Sequence, residues 1–293
     1  MSAEEKIANQ LAERTSPLSK SLAGRIRRLH MAKHRRQEGL CLVEGPRPIE
    51  AALEAGVSPR MVIAQDGWIT RNPMAVAHWI ELGVSQALWR TADTDEMAQL
   101  ATTSSPPGVL AVMAADADDW GEREQLPPLE YGLGMLLWVG DAGNLGTMLR
   151  LAWASGVKGV WLNTGCVDVW NTKVVRAAAG AHFHLPWTWV TSGEEAIAQA
   201  QVPPNRVLIA DPHEGIPLWE AATQPNALIV MGHETNGLPE GTTGTKVRIP
   251  MPGGAESLNV ATAAGIMLYE AIRQQQTGEA RVEGGKANEG EKV

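Results

Sequence analysis

MLLWVGDAGNLGTMLRLAWASG, residues 135–156, runs from an apolar stretch through a glycine-rich turn into a helical pattern. Met135 to Gly140 reads as a buried strand, and the residues after the turn read as a helix reaching Ser155. Leu145, Met148, Leu149 and Ala152 fall on one stripe of that helix. Arg150 lies about 140° from Leu145 at 100° per residue and so points away from the core. A strand, a Gly140–Gly146 turn and a helix present backbone amides and a helix N-terminus to an anion or cofactor. Glycines at 140, 143 and 146 also form a loose dinucleotide fingerprint, which needs an acid near the end of the next strand, GVWLN (159–163). The nearest acid is Asp168. Taken singly, Asn144 is a helix cap and Arg150 a surface arginine.

Downstream, RVLIAD (206–211), ALIVMG (227–232) and KVRIPM (246–251) read as strands, and a last helix spans 258–275. Upstream, the strands LCLVEG (40–45), MVIAQ (61–65) and VLAVMA (109–114) alternate with helices at 47–55, 75–83 and 95–101. Strands alternating with helices predict an α/β fold with a mostly parallel sheet, preceded by a smaller α/β unit. The acid- and proline-rich stretch 115–131 reads as a linker and the Gly/Glu/Lys-rich end, 276–293, as a disordered tail. The predicted organisation is a basic arm at 1–36, a small unit at 37–114, the linker, a main unit at 132–275, and the tail.

Net charge is −8 over 293 residues, but Arg14 to Gln37 holds eight cations and no acid, leaving 17 basic against 33 acidic residues elsewhere. A local positive footprint on an acidic body suits nucleic acid; a solvated basic helix or a transit segment would look the same. Two cysteines, Cys41 and Cys166, argue against a disulfide framework or a thiolate zinc site. No apolar run reaches a membrane span, and MSAEEKIANQ lacks the pattern of a secretory leader, so a cytoplasmic protein without membrane association is expected. The count of 11 Trp against 2 Tyr and 1 Phe carries no functional reading.

Two loops end strands on the predicted ligand edge of the sheet: Gly232-His233-Glu234-Thr235-Asn236-Gly237-Leu238, and the segment from Ile249 to Val260. Together with the first turn, DAGNLGTMLRLAWASGV, ALIVMGHETNGL and VRIPMPGGAESLNVATAAGIMLYEA closely resemble the three motifs of the SPOUT superfamily, in particular its SpoU/TrmH-type RNA ribose 2′-O-methyltransferases. KVVRAAAGAHFHLP (173–186) extends the likeness over most of 135–272, and RRQEGLCLVEGPRPIEAALEAG (35–56) is similar to the ribosomal-protein-like RNA substrate-binding domain that often precedes this fold.

The resemblance implies a deep trefoil knot, S-adenosylmethionine bound by the second and third motif loops, and a homodimer with its active site at the subunit interface. It places catalytic positions at Asn144, Arg150, Glu234, Ser257 and Asn259, and cofactor contacts at Gly232, Glu234, Ile249, Met251, Ser257, Leu258 and Asn259. Arg176 matches an arginine that helps hold RNA in some members. Arg25, Arg27, Arg28, Lys33, Arg35 and Arg36 are the candidate phosphate contacts of the arm, with rRNA favoured over tRNA as partner. Arginine stays protonated, so the implied role of Arg150, given by the partner subunit, is to stabilise the developing 2′-alkoxide and hold the adjacent phosphate; proton abstraction is the contested version.

Two departures stand out: Ala142 replaces the usual proline, and Gly232-His233-Glu234-Thr235 replaces the common Gly-Asn-Glu-Gly. No metal is expected, because His182 with His184 (a strand face) and the Asp211–Glu214 turn lack a third ligand at a recognisable spacing. The rival readings are a non-catalytic RNA-binding protein of the same fold and a dinucleotide-dependent Rossmann enzyme.

Overall fold

The computed structural model describes residues 1–115, 125–233 and 237–277. The N-terminal unit contains α1 (Ala3–Arg14), β1 (Ser16–Pro17), α2 (Lys20–Arg28), α3 (Ala32–Glu38), β2 (Leu40–Glu44), α4 (Pro46–Glu54), β3 (Met61–Gln65), α5 (Trp68–Arg71), α6 (Pro73–Glu81), β4 (Trp89–Ala92), α7 (Thr94–Leu100) and β5 (Val109–Ala114). Its sheet has the order β1-β4-β3-β5-β2, with β5 antiparallel to both neighbours. Pro46 and Pro48 suit the first turn of α4, where backbone N–H groups have no helical acceptor.

The expected basic arm is instead folded into this unit. A capping box between Ser2 and Glu5 starts α1, β1 adds to the sheet beside β4, and Leu18, Ile26 and Leu29 bury against Leu42, Ile63 and Leu110. Apolar residues at helical spacing between the cations explain this: the helices are amphipathic, with every cation of α2 and α3 except Arg35 on the outer side.

The second unit contains β6 (Gly132–Leu137), α8 (Ala142–Ala154), β7 (Gly159–Asn163), α9 (Thr172–Ala178), α10 (Ala181–His184), β8 (Trp187–Val190), α11 (Gly193–Ala200), β9 (Val207–Ala210), β10 (Ile216–Pro217), β11 (Asn226–Met231), β12 (Thr245–Arg248) and α12 (Val260–Thr277). The order is β10-β12-β9-β11-β6-β7-β8, parallel throughout. The chain runs outward from β6 through β7 to β8, then fills the other side. The strand order reverses between β6 and β11, where open parallel sheets open a crevice at their C-terminal edge.

Three expectations change here. Leu126 and Leu129, inside the expected linker, are buried against Leu136, Trp161 and Leu228; residues 116–124 lie outside the described residues, as does the tail from 278 onward. His182 and His184 belong to the short helix α10, not to a strand face. The helix cap ahead of α8 is Asp141, whose carboxylate accepts from the Asn144 N–H at 2.8 Å, so Asn144 keeps its side chain for another partner.

The two units share one apolar core that runs from Val43 and Ile49 to Val174, Ala178 and Ala181. Strand β2 lies against α9, with an ion pair at either end: Arg35 with Asp168 at 2.5 Å and Arg176 with Glu44 at 4.0 Å.

Candidate functional site

A cavity of about 730 Å³ opens at the C-terminal ends of β9, β11 and β12. Gly232, Ile249, Met251, Ser257, Leu258 and Asn259 all line it. Glu234 lies outside the described residues together with Thr235 and Asn236. The ends of that loop are tied by paired backbone hydrogen bonds between His233 and Gly237, of 2.7 and 3.0 Å. Gly232 needs to be glycine: a Cβ there would meet the Gly237 carbonyl oxygen at 2.7 Å. The side chain of His233, which stands where the resembling motif has asparagine, lines the cavity, packs over Gly140 and meets Trp138 edge-on.

The first and third motifs join at the rim. Asn259 Nδ2 donates to Asn144 Oδ1 at 3.0 Å, while Asn259 Oδ1 accepts the N–H groups of Ala261 and Thr262 at the start of α12. Leu145, Met148, Leu149 and Ala152 are buried as predicted, and Arg150 is exposed on the opposite face of α8. Helix α8 is pressed onto α9 through Gly146, where a Cβ would stand 2.5 Å from that of Ala177. Lys173 of α9 reaches Asp141 at 3.3 Å, and the Asn144 N–H, followed by Lys173, holds the Asp141 carboxyl below its usual range.

At the far wall, Asp211 faces Lys246 at 3.1 Å, and Lys246 also meets Glu214 at 2.6 Å. Burial pushes the Asp211 carboxyl up, but the N–H groups of Glu214 and His213 and the Lys246 ammonium outweigh it and leave it lowered. Hydrogen bonds to these two carboxylates raise Lys246. The Asp211–Glu214 turn is thus satisfied by a cation from its own sheet. Away from the cavity, Glu50, Glu54 and His78 bring ligand-type atoms within 4.8 Å of one another on the N-terminal unit.

A cavity of this size suits a ligand of cofactor dimensions, and its lining offers what S-adenosylmethionine requires. Ile209, Met231, Leu238, Ile249 and Leu258 give apolar walls, Ser257 and Asn259 supply hydrogen-bonding groups, and Glu256 brings negative charge suited to a cationic sulfonium. The dinucleotide reading fails at its own requirement. Asp168 is bound by Arg35 Nε and Nη2 at 3.1 and 2.5 Å and caps the Trp170 N–H, leaving it turned toward the N-terminal unit.

The candidate RNA contacts divide. Arg27, Arg28, Lys33 and Arg36 are exposed on α2 and α3, whereas Arg35 is 3% exposed and also donates to the carbonyls of Leu29 and His30. Arg35 is therefore a structural tie, not a phosphate contact. Arg25 is exposed but engaged by Glu38 at 2.6 Å.

With fold and site in view, the chain matches the SpoU rRNA Methylase family over residues 135–269 and the MRM3-like substrate binding domain over 24–111. It is 34% identical to an uncharacterized tRNA/rRNA methyltransferase of Synechocystis sp., over 87% of this chain and 91% of that one. It is 31% identical to the 23S rRNA (uridine(2479)-2′-O)-methyltransferase of Streptomyces viridochromogenes, over 83% and 86% respectively. The crystal structure of the SpoU methyltransferase AviRb from the same organism, in complex with AdoMet, superposes with a TM-score of 0.72 at 27% identity, covering 88% of this chain and 99% of that one. The chain belongs to the SpoU rRNA methylase family. It is an S-adenosylmethionine-dependent RNA ribose 2′-O-methyltransferase carrying an N-terminal substrate-binding domain.

Proposed function

We propose that the chain works as a cytoplasmic homodimer that methylates one ribose 2′-hydroxyl in ribosomal RNA, with Asn144, Arg150, Glu234, Ser257 and Asn259 as its catalytic set. The observation that carries this reading is the Asn259–Asn144 hydrogen bond. It joins the loop lining the cofactor cavity to the start of the helix that bears Arg150. The rRNA substrate is favoured by the match to the MRM3-like domain and by the 23S rRNA activity named for the Streptomyces relative. A non-catalytic RNA-binding role is disfavoured because Ser257, Leu258 and Asn259 line the cavity and Asn259 is hydrogen-bonded to Asn144.

S-adenosylmethionine, when bound, supplies a methyl group on a positively charged sulfur. The chain's own residues do the rest. Ser257, Leu258 and the backbone around Gly232, Ile249 and Met251 would hold the cofactor. Asn144 and Glu234 would orient the ribose or the catalytic arginine. A ribose hydroxyl is too weak an acid to ionise unaided near neutral pH. The partner subunit's Arg150 would stabilise the developing alkoxide while anchoring the adjacent phosphate.

Dimerisation is supported by the outward side of α8 and α12. Trp153 (40% exposed) on α8 and Ile266 (40%) and Tyr269 (54%) on α12 are large apolar side chains left exposed, and Trp153 shares its helix face with Arg150. A threaded C-terminal segment forming a trefoil knot is part of this proposal. No helix among the described residues is long and apolar enough to cross a membrane. The test is methyl transfer from labelled S-adenosylmethionine to rRNA and tRNA transcripts, followed by mapping of the modified ribose. Transfer to tRNA alone would overturn the substrate choice, and no transfer to any RNA would overturn the catalytic reading.

A further inference from the structure

Strand β2 ends at Glu44 and α9 ends near Arg176, and the two side chains meet across the junction of the units. The Glu44 side chain is 3% exposed. Its Oε1 accepts two hydrogen bonds from Thr102, from the backbone N–H at 2.7 Å and from the hydroxyl at 2.8 Å. Oε2 has no hydrogen-bond partner among the described residues and lies 4.0 Å from Arg176 Nη1. That same Nη1 donates to the Thr102 hydroxyl oxygen at 2.7 Å.

A carboxylate taken out of water with one oxygen bare is unfavourable unless a cation stays beside it. Glutamine would satisfy Thr102 equally well, so the charge at Glu44 answers Arg176. Arg176 itself is 39% exposed, and among the described residues only its Nη1 has an acceptor. The guanidinium is held from behind, while the rest of its planar fork of donors is open, and such a fork matches a phosphate.

We infer that Glu44 is a positioning residue for RNA methylation: from the N-terminal unit it anchors the rear of the Arg176 guanidinium, whose open edge meets a phosphate of the RNA chain near the target nucleotide. This rests on the proposed RNA substrate. The substrate-binding domain then does more than add affinity. It fixes the direction of an arginine that belongs to the catalytic unit, and a polyanion bound there sits at a set distance from the cavity.

The experiment compares the full-length parent with Glu44→Gln, Arg176→Gln and the double variant, using an rRNA transcript in filter binding over a salt series and in steady-state methylation. Glu44→Gln should weaken RNA binding and raise the RNA KM about tenfold, and lower the log–log salt slope by up to about one. The kcat at saturating RNA and the affinity for S-adenosylmethionine should stay at parent values, and the double variant should be no weaker than Arg176→Gln. Parent-like binding in Glu44→Gln, or losses that multiply in the double variant, would overturn the inference. Should Glu44→Gln fold poorly, Thr102→Val at the exposed side of the same cluster replaces it, with the same RNA defect expected and parent-like binding counting against the proposal. A parent that binds RNA but transfers no methyl group would sink the methylation reading, while the binding series still decides whether Glu44 acts through Arg176.

Discussion

Asn259 donates to Asn144 across 3.0 Å, and both side chains reach solvent at the cavity rim. An exposed amide pair contributes little net stability, so its value is geometric: it holds the cavity-lining loop and the start of α8 in register. Asn259 also caps α12. Asn259→Ser keeps a capping oxygen but cannot reach Asn144. The variant is expected to unfold within about 0.5 kcal/mol of the parent, while methyl transfer falls by roughly tenfold or more through the loss of positioning. Parent-level turnover would show that the bridge has no part in catalysis.

Arg150→Ala is expected to remove methyl transfer, by at least about a hundredfold, with cofactor affinity and thermal unfolding near parent values, since the side chain is exposed and opposite the core stripe. Mixed dimers decide which subunit it serves. An Arg150→Ala chain paired with a chain disabled at Ser257 and Leu258 should regain one working site if the arginine acts across the interface. Absence of recovery would place its action within its own subunit.

The strands and most helices of the second unit were legible because a buried parallel strand is an apolar run and α8 carries a clean 3.6-residue stripe. Six of the expected cofactor residues, Gly232, Ile249, Met251, Ser257, Leu258 and Asn259, line the cavity, whereas its far wall from Ile209 to His213 was read from the sequence only as a strand and a turn. Sequence reasoning missed whatever depended on the partner of a charge. Arg35 looks like its neighbours Lys33 and Arg36 along the chain, and only the fold brings Asp168, 133 residues away, beside it. The same holds for Asn144, whose cap role passes to Asp141 three residues earlier. Part of the tryptophan excess is core mass: Trp79, Trp89, Trp161 and Trp187 are fully buried, and Trp79 lies between Trp68 and Trp89, stacked on the latter.

The division among the basic residues predicts opposite phenotypes. Arg35→Gln breaks a buried ion pair and should cost about 3 kcal/mol of stability, read as a lower urea midpoint. Replacing Arg28, Lys33 and Arg36 by Gln should leave the midpoint nearly unchanged, weaken RNA binding, and flatten its salt slope by up to about one per lost contact. Equal loss of stability in both variants would contradict the placement of these side chains.

Gly146 lets α8 approach α9, and Arg150 and Arg176 depend on that contact. In Gly146→Ala the new methyl would stand 2.5 Å from Ala177 Cβ and 2.6 Å from the Val174 carbonyl oxygen. The helical preference for alanine, about 1 kcal/mol, is outweighed by overpacking. A net loss of about 2 kcal/mol is expected, measured by urea unfolding, with methyl transfer reduced as the helices separate. A stabilised variant would refute the close packing.

His182 sets an acid limit on the fold. It is fully buried, stacks on Trp170 and lies 3.0 Å from the Val169 carbonyl through Nε2; burial lowers its pKa from 6.5 to about 4, against the smaller upward pull of the Val169 carbonyl. Between these values the unfolded chain binds a proton that the folded chain refuses, so stability is full above about pH 6.5 and declines as pH falls toward 4. The loss attributable to this one residue reaches roughly 3 kcal/mol at the acid end. His182→Gln, which keeps an N–H for Val169 but cannot titrate, should be less stable than the parent at pH 8 through imperfect packing, yet show a shallower decline between pH 6.5 and 4. Urea midpoints of both proteins at half-unit steps would check this, and parallel curves would mean that His182 does not govern the acid limb.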